Sequence, residues 1–295
     1  MSATDAGAPR VRSGTTFGRR SATAVLASPV LTLLVLFAAP LAYLTWVSFS
    51  EADITGDGSF TFDNYAEVLG EPIYRSVFLD TIVISFTAMA ILFVIAFPLA
   101  AFLAFRAGKW EIPMLLALVL TDELNPLIRL YAWQIVMNKE GVINKVLQGL
   151  GIVDEPITLL FTKTAVVVVL ATGSLAFVVI PIYAALKTVN RNLIEAARDL
   201  GASWMTILRE ILLPLSAAGF IAAIIIVFVP MLSDFASPAV VGGREGYMIA
   251  SLIEEEFNAR GNWGVGSALS FVILAISGVM VWVSIRISKV GRLGS

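Results

Sequence analysis

Six long apolar runs constrain this chain more than any other feature. They lie near residues 25–49, 76–105, 112–137, 163–186, 214–236 and 266–287. A helix needs roughly 20 residues to cross a hydrocarbon core of about 30 Å. Transmembrane barrels are built from shorter segments in which apolar and polar residues alternate, and these runs do not alternate. The pattern predicts an all-α integral membrane protein with six transmembrane helices.

Composition agrees with a membrane protein and excludes several functions. Of 295 residues, 58% are hydrophobic and 14% are charged, whereas soluble domains carry about a quarter charged residues. The lipid bilayer is therefore an expected partner. A net charge of -2 supplies no basic excess for nucleic acid. The chain contains no Cys and no His, which excludes thiolate and imidazole catalysis and structural zinc.

Loop charges predict the orientation of the helices. Residues 1–20 are rich in small polar residues and arginine and are predicted to be a disordered cytoplasmic tail, followed by a six-helix domain over 21–295. The run at 25–49 is too long for a secretory signal. The second and fourth loops and the C-terminus are basic: Arg106, Lys109, Lys187, Arg191, Arg198, Arg209, Arg286, Lys289, Arg292. Both termini are predicted to be cytoplasmic, and the acidic first loop to lie outside.

One polar, amphipathic segment, residues 195–214, separates the fourth and fifth apolar runs. Its anchor residues are Glu195, Ala196, Ala197, Gly201, Ile211, Leu213 and Pro214. The two alanines let another surface approach closely, and Gly201 can end a helix in a left-handed conformation. Pro214 suits the first turn of the next helix. An ordinary amphipathic loop helix is the plainer alternative.

The spacing of these anchors resembles the EAA loop of ATP-binding-cassette importer permeases. The resemblance implies a short coupling helix, within about 192–203, that docks on a cytoplasmic ATPase. The chain has no phosphate-binding loop of its own, because Trp110 follows Gly108 and Lys109 where Ser or Thr is required. The chain is therefore expected to carry no cofactor and to catalyse no reaction. ATP and Mg would be bound by the ATPase partner.

Three further stretches are similar to the permeases of spermidine/putrescine importers. They are residues 62–65, 129–133 with 141–144, and 241–269, and the resemblance extends over nearly all of 25–290. It implies a bacterial inner-membrane location. The implied partners are a second permease chain, as a heterodimer, two ATPase subunits and an extracytoplasmic solute-binding protein. The sequence departs from that pattern at 121–126, TDELNP.

That departure places Asp122 and Glu123 near the middle of the third apolar run, where a charge is costly. At helical spacing, Asp122, Asn125, Arg129 and Trp133 share one face. The face could line a translocation path, or Arg129 could simply neutralise a carboxylate between helices. Two acids beside one base leave a local charge of about -1. This balance predicts an amine-bearing solute, with a polyamine as the leading candidate and a zwitterionic amine second.

Acidic residues elsewhere in the chain are further candidates, and two other classes of function are considered. Asp234 lies near the outer end of the fifth run and could line the path, and the acids at 254–256 could help to dock the binding protein. The same class of importer for another small polar solute is one alternative, and an ion-coupled secondary transporter using Asp122 and Glu123 is another. An intramembrane enzyme is disfavoured because adjacent helical residues point about 100° apart.

Overall fold

The structure is a computed structural model that describes residues 19–51, 58–123 and 125–292. The described residues form helices joined by loops, with one isolated antiparallel bridge between Ser50 and Phe60. This confirms the predicted all-α class. The helices are α1 (Arg19–Ser48), α2 (Asp63–Gly70), α3 (Pro72–Phe105), α4 (Glu111–Asp122), α5 (Pro126–Met137), α6 (Val142–Gly149), α7 (Lys163–Thr172), α8 (Leu175–Lys187), α9 (Arg191–Asp199), α10 (Trp204–Leu215), α11 (Ala217–Leu232), α12 (Ile249–Asn258) and α13 (Trp263–Arg292).

The chain divides into two compact units, with the boundary between Trp46 and Val47. The first consists of most of α1, whose described side chains from Val30 to Phe37 are exposed. The second contains all the other helices. The predicted tail, residues 1–20, is not among the described residues except for its last two, which begin α1. Two acids of the first loop, Asp53 and Asp57, are also not among the described residues.

Three of the described helices are long and apolar enough to cross a membrane without interruption. They are Pro29–Ser48 within α1, α3, and Trp263–Arg286 within α13. Two bent pairs pass the same criteria when each pair is taken together: α7 and α8 meet at 49°, and α10 and α11 meet at 64°. The described helices therefore give three crossings, or up to five if each bent pair is one span. The third predicted span, 112–137, is split between α4 and α5.

The split of the third predicted span has a local cause. Asn125 adopts φ -51° and ψ 122° and caps α5, because its side chain accepts a hydrogen bond from the backbone N–H of Leu127. The residue before a proline is disfavoured in the helical conformation, and Pro126 has no N–H to continue the helix of α4. A proline inside an apolar run predicts a kink in its helix, and at Pro126 the helix is completely broken. By contrast, α3 and α8 continue through Pro98 and Pro181.

Helix α3 packs centrally among the other helices of the second unit, and small residues allow close contact. Ala88, Leu92, Ala96 and Ala100 are fully buried and recur every four residues, so they share one face. Without a hydrophobic driving force in lipid, helices associate through such small-residue faces. A comparable close contact joins α11 to α8, where a Cβ added to Gly219 would lie 2.7 Å from the carbonyl oxygen of Pro181.

Candidate functional site

The amphipathic segment between the fourth and fifth apolar runs contains helix α9, which has a defined cap at each end. The side chain of Asn190 accepts a hydrogen bond from the N–H of Asn192 at 3.0 Å. At the other end Gly201 has φ +82°, and its N–H bonds the carbonyl of Arg198 at 2.8 Å, while the N–H of Ala202 bonds that of Ala197 at 2.9 Å. This is a Schellman motif, which satisfies carbonyls at the helix end.

The anchor residues of this segment differ in exposure. Glu195, Ala196 and Gly201 are exposed and Ala197 is half-buried. Ile211 is also half-buried, whereas Leu213 and Pro214, in the same helix α10, are exposed. Just beyond the C-terminus of α9, Leu200 is 89% exposed. An apolar side chain this exposed, beside two small exposed residues, is typical of a surface that contacts a partner.

Trp204, which the sequence did not single out, holds α9 against the loop that follows α3. The guanidinium of Arg106 lies 4.4 Å from the Trp204 ring centroid, and that of Arg198 lies 5.5 Å from it. Both distances are within the range of cation–π interaction. Since Arg106 follows α3 and Arg198 belongs to α9, the ring links the loop after α3 to α9. A tryptophan in a polar loop is a signal for such a contact, but it does not identify Arg106.

The predicted polar face of the third span is not continuous. Asp122 ends α4, and Glu123 follows it, whereas Asn125, Arg129 and Trp133 belong to α5 or its cap. The prediction of one helical face for Asp122 with the other three is therefore wrong, because the extended backbone at Asn125 separates the two helices. Glu123 and Asn125 are exposed, and Arg129 and Trp133 are half-buried.

Asp122 is engaged by the backbone of another helix. Its Oδ2 accepts a hydrogen bond of 3.0 Å from the N–H of Ala176, in the first turn of α8. A carboxylate at a helix N-terminus satisfies a free N–H and interacts favourably with the helix dipole. The ion pairs of the described residues do not include one between Asp122 and Arg129.

Arg129 packs against the bend between α7 and α8. A Cβ added to Gly173 would lie 2.8 Å from Nη2 of Arg129, so any other residue there would displace the guanidinium. Nε and Nη1 of Arg129 are buried, and neither has a hydrogen-bond partner among the described residues. The α4–α5 break and the α7–α8 bend are thus adjacent, since Asp122 and Arg129 contact the two sides of the bend.

Asp234 has a local role in the structure. Its Oδ1 accepts from the N–H of Ser237 at 3.0 Å and its Oδ2 accepts from the Ser237 hydroxyl at 2.6 Å. These bonds cap the short π-helical turn Pro238–Gly242, which packs against α5 and α7. No group of three or more acidic side chains within the described part of the chain could hold a metal ion.

Two polar clusters lie near opposite ends of the second unit's helices. Glu111, at the start of α4, accepts hydrogen bonds from the Tyr183 hydroxyl and, at 2.8 Å, from Lys187 Nζ. The second cluster involves the acids at 254–256. Arg260 binds Glu255 and Glu256, each at 2.9 Å, Tyr247 donates to Glu255, and Tyr74 lies 3.2 Å from Glu256.

The second unit thus combines apolar helices with a capped amphipathic helix in a polar loop. The chain belongs to the family described as binding-protein-dependent transport system inner membrane component, which matches residues 74–289. It is therefore an inner-membrane transport component.

Within that family the chain is similar to spermidine/putrescine transport system permease proteins named PotB. It is 34% identical over 230 residues to the protein of Salmonella typhimurium, covering 78% of this chain and 80% of that protein. The Escherichia coli K12 protein is also 34% identical over 230 residues, with 78% and 83% covered. The resemblance noted from the sequence is confirmed.

Solved structures support the fold. A bacterial ABC transporter involved in importing the acidic polysaccharide alginate matches with a TM-score of 0.76 at 15% identity, covering 92% of this chain and 96% of that one. The MetNI methionine ABC transporter in an inward-facing form matches with a TM-score of 0.57 at 20% identity, covering 75% and 99%. These two differ in solute, so the shared fold does not specify what is transported.

Proposed function

We propose that this permease imports an amine-bearing solute, with a polyamine as the leading candidate and a zwitterionic amine second. The single observation that carries the proposal is the 34% identity with PotB over 230 residues. The exposed Glu123 at the α4–α5 break supports it, because a carboxylate attracts an ammonium group.

The solute passes the α4–α5 break in this proposal. Asp122 already accepts a hydrogen bond from α8, so the exposed Glu123 is the acid that meets an ammonium group. Asn125, Arg129 and Trp133 form the neighbouring wall. Asp234 contributes through the turn that it caps, which packs against α5.

The energy for transport enters through α9. We assign Glu195, Ala196, Ala197 and Gly201 to the surface that docks on the ATPase, with Ile211, Leu213 and Pro214 carrying the motion into α10 and α11. The exposure of Glu195, Ala196 and Leu200 supports this assignment. ATP and Mg belong to the ATPase, and this chain catalyses no reaction.

The functional assembly contains a second, similar permease chain, two ATPase subunits and an extracytoplasmic binding protein. In it this chain crosses the membrane six times, with α4 and α5 together forming the third crossing, and both termini are cytoplasmic. The basic residues that support this orientation include Arg106 beside α3 and Arg198 on α9, following the positive-inside rule.

Transport by the intact complex tests the proposal. The complex would be isolated through a tag on this chain and reconstituted in proteoliposomes with its binding protein. We expect ATP-dependent uptake of labelled spermidine or putrescine, and weaker uptake at limiting solute for Glu123→Gln. Uptake by this chain alone, driven by an ion gradient, would instead establish a secondary transporter. ATP-dependent uptake of only uncharged or acidic solutes would refute the assignment of an amine.

A further inference from the structure

Polar contacts join α4 and α8 near each end, and Tyr183 of α8 also donates to Glu111 at the first of them. Lys187 Nζ lies 2.8 Å from the carboxylate of Glu111, and the N–H of Ala176 lies 3.0 Å from Oδ2 of Asp122. From 111 to 122 is eleven residues, and from 176 to 187 is also eleven. The two helices are therefore antiparallel in a constant register, and the contacts are about 16 Å apart along them.

The contact at Asp122 replaces a missing local cap. Helix α8 begins after the bend at residues 173–174, so its first N–H groups have no partners within the helix. Ser174, which precedes α8, makes no side-chain capping bond. Asp122 supplies an acceptor from a different helix, at a separation of 54 residues. The position of the α8 N-terminus therefore depends on the end of α4.

The other end of α8 leads directly to α9. Only residues 188–190 separate α8 from α9. The N–H groups of Thr188 and Val189 bond the carbonyls of Ala185 and Leu186 at 3.2 and 3.1 Å, which keeps this connection helical in form. Beside it, Lys187 is bound to Glu111. A displacement of α9 is thus passed to α8 and, through Lys187 and Glu111, to α4.

We infer that Asp122 is a positioning residue that makes α4 and α8 move as one body with α9. This inference rests on the proposed role of α9. Motion that begins at the ATPase surface reaches the α4–α5 break, where Glu123 and Arg129 lie, because α4 ends at Asp122. What Asp122 contributes is a hydrogen-bond acceptor for α8, whereas Glu123 contributes charge to the path.

Substitutions at Asp122 distinguish a role as hydrogen-bond acceptor from a role of its negative charge. The side-chain oxygen of Asn stands where a carboxylate oxygen of Asp122 stands and accepts a hydrogen bond, whereas Ala offers no acceptor. We expect Asp122→Asn to keep the amount of labelled spermidine transported per ATP hydrolysed. We expect Asp122→Ala to lower that ratio between about twofold and thirtyfold, the range of helix-cap effects, with the KM for solute unchanged. Hydrogen exchange at the Ala176 amide should accelerate in the Ala variant alone.

The second contact has its own test. Glu111→Lys and Lys187→Glu should each reduce the coupling ratio, which is the amount of solute transported per ATP hydrolysed. The variant that carries both substitutions should regain part of it. The matched control is the ion pair between Asp80 and Lys163, 2.5 Å apart, which lies outside the α4–α8 pair. Charge reversal there should leave the ratio unchanged.

The decisive comparison is Asp122→Asn with wild type. If the Asn variant loses uptake with a raised KM, the charge of Asp122 acts on the solute and the inference is wrong, whatever the Ala variant does. Equal amide exchange at Ala176 in all variants would also overturn it. The amide exchange needs no solute, and wild-type uptake with Glu123→Gln tests the proposed function, so the two failures are distinguishable.

Discussion

The hydroxyl of Tyr74 lies 3.2 Å from Oε1 of Glu256, and this contact joins the start of α3 to the C-terminal half of α12. Seven residues away on each helix, Thr81 Oγ1 accepts a bond of 2.8 Å from the N–H of Ile249. The two contacts fix α12 antiparallel to α3. Glu256 is 1% exposed, so this carboxyl is held in a buried polar cluster rather than on a solvated face.

Stability should depend on pH through Glu256. Burial raises the pKa of its carboxyl, and Arg260 partly opposes this. Tyr74, Glu67 and Glu255 are the other charged or titratable groups around it. A raised acid pKa contributes stability that is present below the unfolded pKa and lost as pH rises through the folded pKa. We therefore expect the Tm of Glu256→Gln, relative to wild type, to increase with rising pH.

Glu255, the adjacent acid, is a control for which the opposite pH dependence of stability is expected. A hydrogen bond from Tyr247 lowers the pKa of Glu255, and Arg260 acts in the same direction. Glu255→Gln should therefore lose stability relative to wild type as pH rises towards the ordinary pKa of a glutamate, and the difference should stay constant above it. Thermal unfolding of the purified protein in detergent, from pH 3 to 8, measures both. Parallel curves for all three proteins would contradict the assignment.

Gly201→Val should uncouple transport from ATP hydrolysis. A Cβ at Gly201 meets no atom within 4 Å, so the cost comes from φ +82° alone, about 1–3 kcal/mol for a β-branched residue. The Schellman end of α9 should unfold, and stimulation of ATPase activity by the loaded binding protein should be lost. Gly201→Asn should retain it, because Asn tolerates this conformation.

Gly151, a second glycine with positive φ, provides a control for general destabilisation. Gly151 has φ +66° and equally open surroundings, but it follows α6 and is far along the chain from α9. Gly151→Val should therefore keep stimulated ATPase activity. Normal stimulation in Gly201→Val, or equal loss in both Val variants, would count against the role of α9.

Trp204→Leu should weaken the docking of α9 without unfolding the protein. The substitution removes the ring that contacts Arg106 and Arg198, an interaction worth about 0.5–1 kcal/mol at exposed sites. We expect a few-fold loss of stimulated ATPase activity, and nearly full activity for Trp204→Phe. Trp282, whose ring centroid lies 5.2 Å from the guanidinium of Arg286, is the control, and Trp282→Leu should leave coupling intact.

Orientation can be tested with single cysteines, because the chain has none. Ser59, Asn258 and Ser203 are all exposed. Cysteines at Ser59 and Asn258 should react with an impermeant maleimide added to intact cells, and one at Ser203 should react only after permeabilisation. Labelling of Ser203 from outside would reverse the orientation and remove α9 from the reach of an ATPase.

Local features of this protein were predictable and tertiary ones were not. The apolar runs indicated the helices, and the anchors around Gly201 indicated a helix that ends there in a left-handed turn. Pro126 indicated a kink, but the full break also needed the capping side chain of Asn125. The contact between Asp122 and Ala176 joins residues 54 positions apart, and no local pattern marks a backbone N–H as the partner of a distant acid.

The guanidinium of Arg129 occupies the space beside Gly173. A Cβ at residue 173 would lie 2.8 Å from Nη2 of Arg129 and 3.1 Å from the carbonyl of Val169, so Gly173→Ala should displace the guanidinium. If Arg129 lines the path, Gly173→Ala should lower solute uptake in the reconstituted complex.

A double-mutant cycle separates this effect from strain at the bend. Arg129→Met removes a charge whose Nε and Nη1 are buried without partners, so stability should be kept or improved while uptake falls. Adding Gly173→Ala to Arg129→Met should then cause little further loss, because the flexible Met leaves room for the new Cβ. Additive losses would show that the two residues act separately, and the α7–α8 bend would then have no part in positioning Arg129.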